Sequence, residues 1–128
     1  MLKLVKNESK YFEFIRNLRN DEEVSKGFIK QEYITNKQQE RYMQKYGSYY
    51  YICLEDEIPV GYIGQIDKDI RLAVLPGKQG KGIGKFMVNS FVKLFPDIYA
   101  KVKLDNTASL NLFKSCGFKE KYIILEPQ

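Results

Sequence analysis

The stretch Gln79-Gly80-Lys81-Gly82-Ile83-Gly84 carries the most specific chemistry in this chain. It follows the strand-like run Ile70–Leu75. It opens a segment in which Met87, Phe91 and Phe95 recur at helical spacing, before Pro96 closes it. A strand feeding a glycine-rich turn that opens a helix makes an anion cradle. The first four N–H groups of a helix have no acceptor inside it, and the macrodipole places about half a positive charge there. Glycine lets a phosphate approach the backbone without meeting a Cβ. We therefore expect Gln79, Gly80, Lys81, Gly82, Ile83, Gly84 and Lys85 to hold a phosphate or pyrophosphate. The competing reading is a tight connection and nothing more. Lys78, Lys81 and Lys85 weigh against it by ringing the turn with positive charge.

The register of the glycines excludes two phosphate-binding patterns. A P-loop needs Gly, four residues, then Gly-Lys and Ser or Thr. Counted from Gly77, Ile83 stands where the lysine belongs, and counted from Gly80 the second glycine position is Lys85. The dinucleotide fingerprint Gly-x-Gly-x-x-Gly fails at Lys85 in one frame and at Met87 in the other. What remains is Gln-x-x-Gly-x-Gly, at Gln79, Gly82 and Gly84. It resembles the pyrophosphate-binding motif of the GNAT superfamily of acyl-CoA-dependent N-acetyltransferases. The later block Asn106-Thr107-Ala108-Ser109-Leu110-Asn111-Leu112-Phe113-Lys114-Ser115-Cys116-Gly117-Phe118 is similar to a second motif of that family: Asn, then Leu-Tyr or Leu-Phe, then Gly-Phe. The two blocks are separated by about a helix plus a strand, and the resemblance runs from about Tyr50 to Phe118.

The resemblance implies attack of a primary amine on the thioester of acetyl-CoA, the co-substrate, with no metal. It implies that backbone groups around Leu72, Ala73 and Val74 hold the thioester and pantetheine arm, next to a strand that splays away. It sets Asn106 against the pantetheine arm, although helix capping would equally explain that residue. The family often has a Tyr at the position of Phe113 to protonate the departing thiolate, and Phe113 cannot do so; Tyr99 is the substitute the sequence offers. Family bases are often carboxylates near the start of the central strand, so Asp69 and Asp67 are the candidates, with a tight-turn role as the alternative for both. Leu18-Arg19-Asn20-Asp21 resembles the front segment of members acting on amino-sugar nucleotides. A small amine is therefore the expected acceptor. The alternatives are a protein N-terminus or lysine, or an idle acyl-CoA-binding module.

The elements that must position these groups follow from patterning. Leu2, Leu4 and Val5 form a short strand. Tyr11, Phe12, Ile15 and Leu18 read as an amphipathic helix. Thr35 to Tyr46 reads as another, stopped by Gly47. Tyr49–Leu54 and Ile58–Ile66 form a hairpin about Glu55-Asp56-Glu57, with Pro59 tolerated at the start of its strand. A second turn at Asp67-Lys68-Asp69 leads into the central strand. Beyond the cradle helix, Ile98, Ala100, Val102 and Leu104 alternate with Tyr99, Lys101 and Lys103, the period of a strand. Asp105 or Asn106 caps a last helix ended by Gly117, and Phe118–Leu125 would be the final strand. The order predicts a mixed α/β sheet of GNAT type with one splayed parallel pair, residues 1–128 forming one domain.

Composition bounds the rest. There is no histidine among the 128 residues, which removes His-ligated metals and Ser-His or Cys-His catalysis. Cys53 and Cys116 sit far apart among apolar neighbours and read as buried thiols. Neither a signal peptide nor a membrane span is visible, so a cytoplasmic protein is expected, monomeric or homodimeric. Between Gly77 and Lys121 nine lysines face three acids, whereas the remainder holds twelve basic and thirteen acidic side chains. The excess suits a polyanion such as coenzyme A. Nucleic acid is disfavoured, because Tyr99 is the only aromatic within Lys93–Lys103 apart from the helix-facing Phe95.

Overall fold

The computed structural model describes residues 1–29 and 32–128. Four antiparallel strands lie in the order β1 (Leu2–Lys6), β2 (Tyr50–Glu55), β3 (Ile58–Ile66) and β4 (Asp69–Val74). Two tight hairpins join the last three. In each the turn residues take positive φ without glycine: Asp56 and Glu57 at 50° and 71°, Asp67 and Lys68 at 53° and 72°. This backbone twist matches the right-handed twist of the strands. Pro59 pairs with Leu54 beside a register irregularity, where its missing N–H is tolerated.

Alternation along β2, β3 and β4 divides the core between two faces. On one face α1 (Phe12–Asn20), α2 (Glu22–Ser25) and α3 (Asn36–Tyr46) bury Ile15, Leu18 and Met43 against Tyr50, Ile52 and Tyr62. On the other, α4 (Ile83–Leu94) and α5 (Thr107–Ser115) bury Met87, Phe91 and Phe113 against Cys53, Val60 and Ile63. Thr35 and Gln38 form a reciprocal capping box at the start of α3. Asp21 caps α2 by accepting from the N–H of Glu23 and Val24.

Three expectations need correction. Residues 98–104 do not form a strand: a single parallel bridge joins Asp69 to Tyr99. Residues 118–125 do not form one either, and Tyr122, Ile123, Ile124 and Leu125 are exposed. Gly47 ends α3 in the right-handed region, at φ −56°, and is buried; a left-handed cap is not used. No helix among the described residues is long and apolar enough to cross a membrane.

Candidate active site

The cradle lies just past the C-terminal end of β4. Gly80 and Gly82 adopt φ of 78° and 82°, and a Cβ built on either would meet nothing within 4 Å. Gly82 is the N-cap of α4, and no side chain caps that end. Among the described residues, nothing accepts from the N–H groups of Lys81, Gly82, Ile83, Gly84 or Lys85. Open space, a row of unpaired amides and a helix dipole therefore coincide at one point. Among the described residues Lys81 and Lys85 have no ion-pair partner, whereas Lys78 is committed to Glu55 at 2.8 Å. The positive ring is thus smaller than the sequence implies.

From the cradle, one edge of β4 leads to a cleft. The Ile70 N–H donates to the Tyr99 carbonyl at 2.9 Å, and the Tyr99 N–H donates to the Lys68 carbonyl at 2.8 Å. After this bridge the two segments part, with no further backbone bond between β4 and residues 100–104 among the described residues. Because strand groups alternate in direction, the N–H and C=O of Leu72 and Val74 face the gap. Those of Ala73 face β3, opposite Tyr62.

The gap opens into a cleft of about 400 Å³ that runs through the sheet layer. On the α4–α5 side its wall is apolar: Leu72, Ala100, Val102 and Phe113, with Asn106 at the rim. On the α1–α3 side it is lined by Phe28, Ile29, Tyr62, Asp69 and Arg71. Asp69 is mostly shielded, its side chain 13% exposed. Its Oδ2 contacts both Arg71 Nη2 at 3.4 Å and Lys101 Nζ at 3.8 Å. Burial pushes the Tyr62 hydroxyl well above its ordinary range, with Arg19 working in the opposite direction, so it remains a neutral donor.

Residues 12–118 match the model of the Acetyltransferase (GNAT) family. The chain belongs to the GNAT family. Solved structures agree in fold. A spermidine N-acetyltransferase from Vibrio cholerae, in complex with CoA and spermine, superposes with a TM-score of 0.83. It is 20% identical over 98% of this chain and 85% of that one. A domain from Methanocaldococcus jannaschii gives 0.79 at 19% identity, covering 94% and 90%. An aminoglycoside acetyltransferase in complex with coenzyme A gives 0.74 at 16%, covering 94% and 86%. No curated protein matches the sequence. As a GNAT member, the chain is an acetyl-CoA-dependent N-acetyltransferase.

Within this GNAT fold the residues singled out from sequence do not all converge. Asp69 enters the cleft; Asp67 sits in the hairpin turn and borders a separate hollow with Tyr46, Tyr49 and Phe95. Tyr99 contributes its backbone to the bridge, but its half-exposed ring lies outside the cleft, under Lys101. Asn106 caps a helix and also borders the cleft. Its Oδ1 accepts from the Ser109 N–H at 3.1 Å, capping α5, while the residue borders the cleft beside Gly27. Phe113 is buried against Phe118, with ring centroids 5.1 Å apart, and closes the apolar wall. Gly84 is helical, and a Cβ there would meet Leu112 at 3.1 Å.

The front tetrapeptide is spent on structure. Leu18 is core, Asp21 is a cap, and Asn20 clasps Ile34 through both its amide groups at 2.9 and 2.7 Å. Arg19 lies on the Tyr42 ring, 4.3 Å from its centroid. Sequence reasoning missed Phe28, Ile29, Tyr62, Arg71 and Lys101. A signal for Arg71 existed: it is two residues past Asp69 on a strand, hence on the same face.

Proposed function

We propose that this enzyme transfers the acetyl group of acetyl-CoA to a small primary amine that enters the cleft from the α1–α3 side. The supporting observation is the cleft itself, which joins the free edge of β4 to a polar mouth on the opposite face of the sheet. In this reading the amides of Lys81 to Lys85, with Gly80 and Gly82 giving room, hold the pyrophosphate, and Gln79 assists. The backbone of Leu72 and Val74 and the side chain of Asn106 hold the pantetheine arm. Apolar Ala100, Val102 and Phe113 exclude water around the thioester.

The amine, as its free base, attacks the thioester carbon while the carbon–sulfur bond breaks. The electron pair of that bond leaves on sulfur. No side chain at Phe113 protonates it, and none is required, because a thiol with pKa near 8.5 departs acceptably as its anion. The proton released from the ammonium passes to Asp69 or to water. Asp69 is the base candidate that borders the reacting space, and Asp67 serves its turn. Binding and orientation carry most of the rate in such a design.

Phe28 and Ile29 line the acceptor side of the cleft, and we favour a small amine, such as an amino-sugar nucleotide, over a polypeptide as the acceptor. Two unpaired cysteines suit a cytoplasmic setting. The test is thiol release from acetyl-CoA across a panel of small amines, with the acetylated product identified by mass. Amine-dependent release with matching product supports the reading. Release only with a peptide N-terminus or a protein lysine contradicts it.

A further inference from the structure

We propose that the acceptor carries an acidic group, a carboxylate or a phosphate, a few atoms from its amine. Arg71 takes the acid and Asp69 takes the ammonium. This rests on the reading of the cleft as the acceptor entrance. Among the described residues the ionisable groups lining the cleft are Asp69, Arg71, Lys101 and Tyr62. Tyr62 is neutral, so one carboxylate faces two cations. A third cation lies behind this wall. Arg19 has no carboxylate within 4 Å among the described residues; its partners are the Tyr42 ring and Gln39 Oε1 at 3.4 Å. Its charge is felt at both Tyr62 and Tyr50. A polycationic acceptor would meet this field as repulsion, and an amine with an acid attached would not.

The geometry fits the same class. Asp69 and Arg71 stand at alternate positions of β4, about 6.5 Å apart along the strand face. They are joined at 3.4 Å, and Arg71 is 46% exposed, so its guanidinium faces incoming solute. A zwitterionic or phosphate-bearing amine can replace this internal pair with two external ones, its ammonium on Asp69 and its acid on Arg71. The planar fork of Arg71 suits bidentate contact with either oxyanion. Lys101 remains beside Asp69 and supplies a second contact to a doubly charged phosphate.

The experiment compares matched acceptors: β-alanine against its amide, 2-aminoethyl phosphate against ethanolamine, and spermine. Each is tested for turnover with acetyl-CoA and, by calorimetry, for binding to the coenzyme A complex. Wild type, Arg71→Gln and Arg71→Lys are compared, with the melting temperature as a fold check. We expect at least one acid-bearing amine to exceed its neutral partner ~10-fold or more in kcat/KM or affinity. Arg71→Gln should erase that ratio through KM with acetyl-CoA affinity little changed, and Arg71→Lys should restore part of it. Preference for the phosphate or for the carboxylate tells the two acids apart. Equal use of neutral partners, preference for spermine, or an acid preference that survives in Arg71→Gln overturns the proposal. Binding of the acid-bearing amine without turnover supports it while contradicting acetyl transfer. Neither binding nor turnover of any acid-bearing amine overturns it.

Discussion

Gly84 of α4 lies against Leu112 of α5, close enough that a Cβ would approach the leucine Cδ2 to 3.1 Å. The third glycine of the cradle motif is therefore a packing residue, where two helices meet at the base of the site. Gly82, two residues earlier, faces open space at φ 82°. The motif combines two physical demands that look alike in sequence.

Substitution separates them. Gly84→Val should destabilise the fold by ~1–3 kcal/mol through overpacking, with acetyl-CoA binding weakened as a consequence. Gly82→Val should cost ~1–2 kcal/mol from left-handed strain and remove acetyl-CoA binding altogether. Thermal melting with and without acetyl-CoA checks both: wild type should gain ~2.7 kcal/mol at a hundredfold the dissociation constant, and Gly82→Val nothing. Normal binding by Gly82→Val would reduce the cradle to a connection.

Asp69→Asn should lower turnover ~10²-fold or more if its carboxylate receives the proton, with acetyl-CoA affinity little changed. Asp67→Asn is the control. Asp67 stands at φ 53° in the hairpin turn, a conformation that Asn adopts readily, so the fold and the rate should both be retained. Turnover profiles across the neutral range for both variants are the measurement. Wild-type rates in Asp69→Asn would transfer proton removal to solvent.

Phe113→Tyr should leave kcat/KM unchanged or raise it. The added hydroxyl would sit in the apolar wall next to the thioester sulfur, where it can donate to the departing thiolate. If instead it points into the Phe118 contact, the variant loses ~1–3 kcal/mol of stability for a buried unsatisfied hydroxyl, visible as a lower melting temperature. A large fall in rate at unchanged stability would contradict the assigned position of the thioester.

The two thiols should react unequally. Burial pushes the Cys53 thiol up to about 11, whereas Cys116 is only partly buried at the end of α5. Only the thiolate alkylates, so iodoacetamide at mildly alkaline pH should label the native protein once, at Cys116, and the denatured protein twice. Equal labelling in the native state would mean that the core around Cys53 opens readily.

The first four strands, α1, α3, α4 and α5 were legible because each carries its own period and punctuation: the run from Thr35 to Tyr46, the acidic turns at 55–57 and 67–69, the recurrence of Met87 and Phe91. Residues 98–104 were misread because alternation reports which face is buried, not whether the backbone is paired. Ala100 and Val102 do pack toward α4 and α5, yet the backbone leaves β4 after Tyr99, and that departure makes the cleft. Residues 122–125 have strand propensity and, among the described residues, no pairing partner. The cleft wall on the α1–α3 side was least legible, because Phe28 comes from the segment after α2, Tyr62 from β3 and Arg71 from β4, and they meet only through packing. Lys78 illustrates the same limit for charge: its neighbour in space, Glu55, is 23 positions away.

In the proposed function, coenzyme A sits with its pyrophosphate on the amides that open α4. Backbone amide chemical shifts during titration with coenzyme A measure this directly. The largest changes are expected at Lys81, Gly82, Ile83, Gly84 and Lys85, with smaller ones at Leu72, Val74 and Asn106, and none of them in Gly82→Val. Saturable binding of coenzyme A that leaves the Lys81–Lys85 amides unmoved would contradict it.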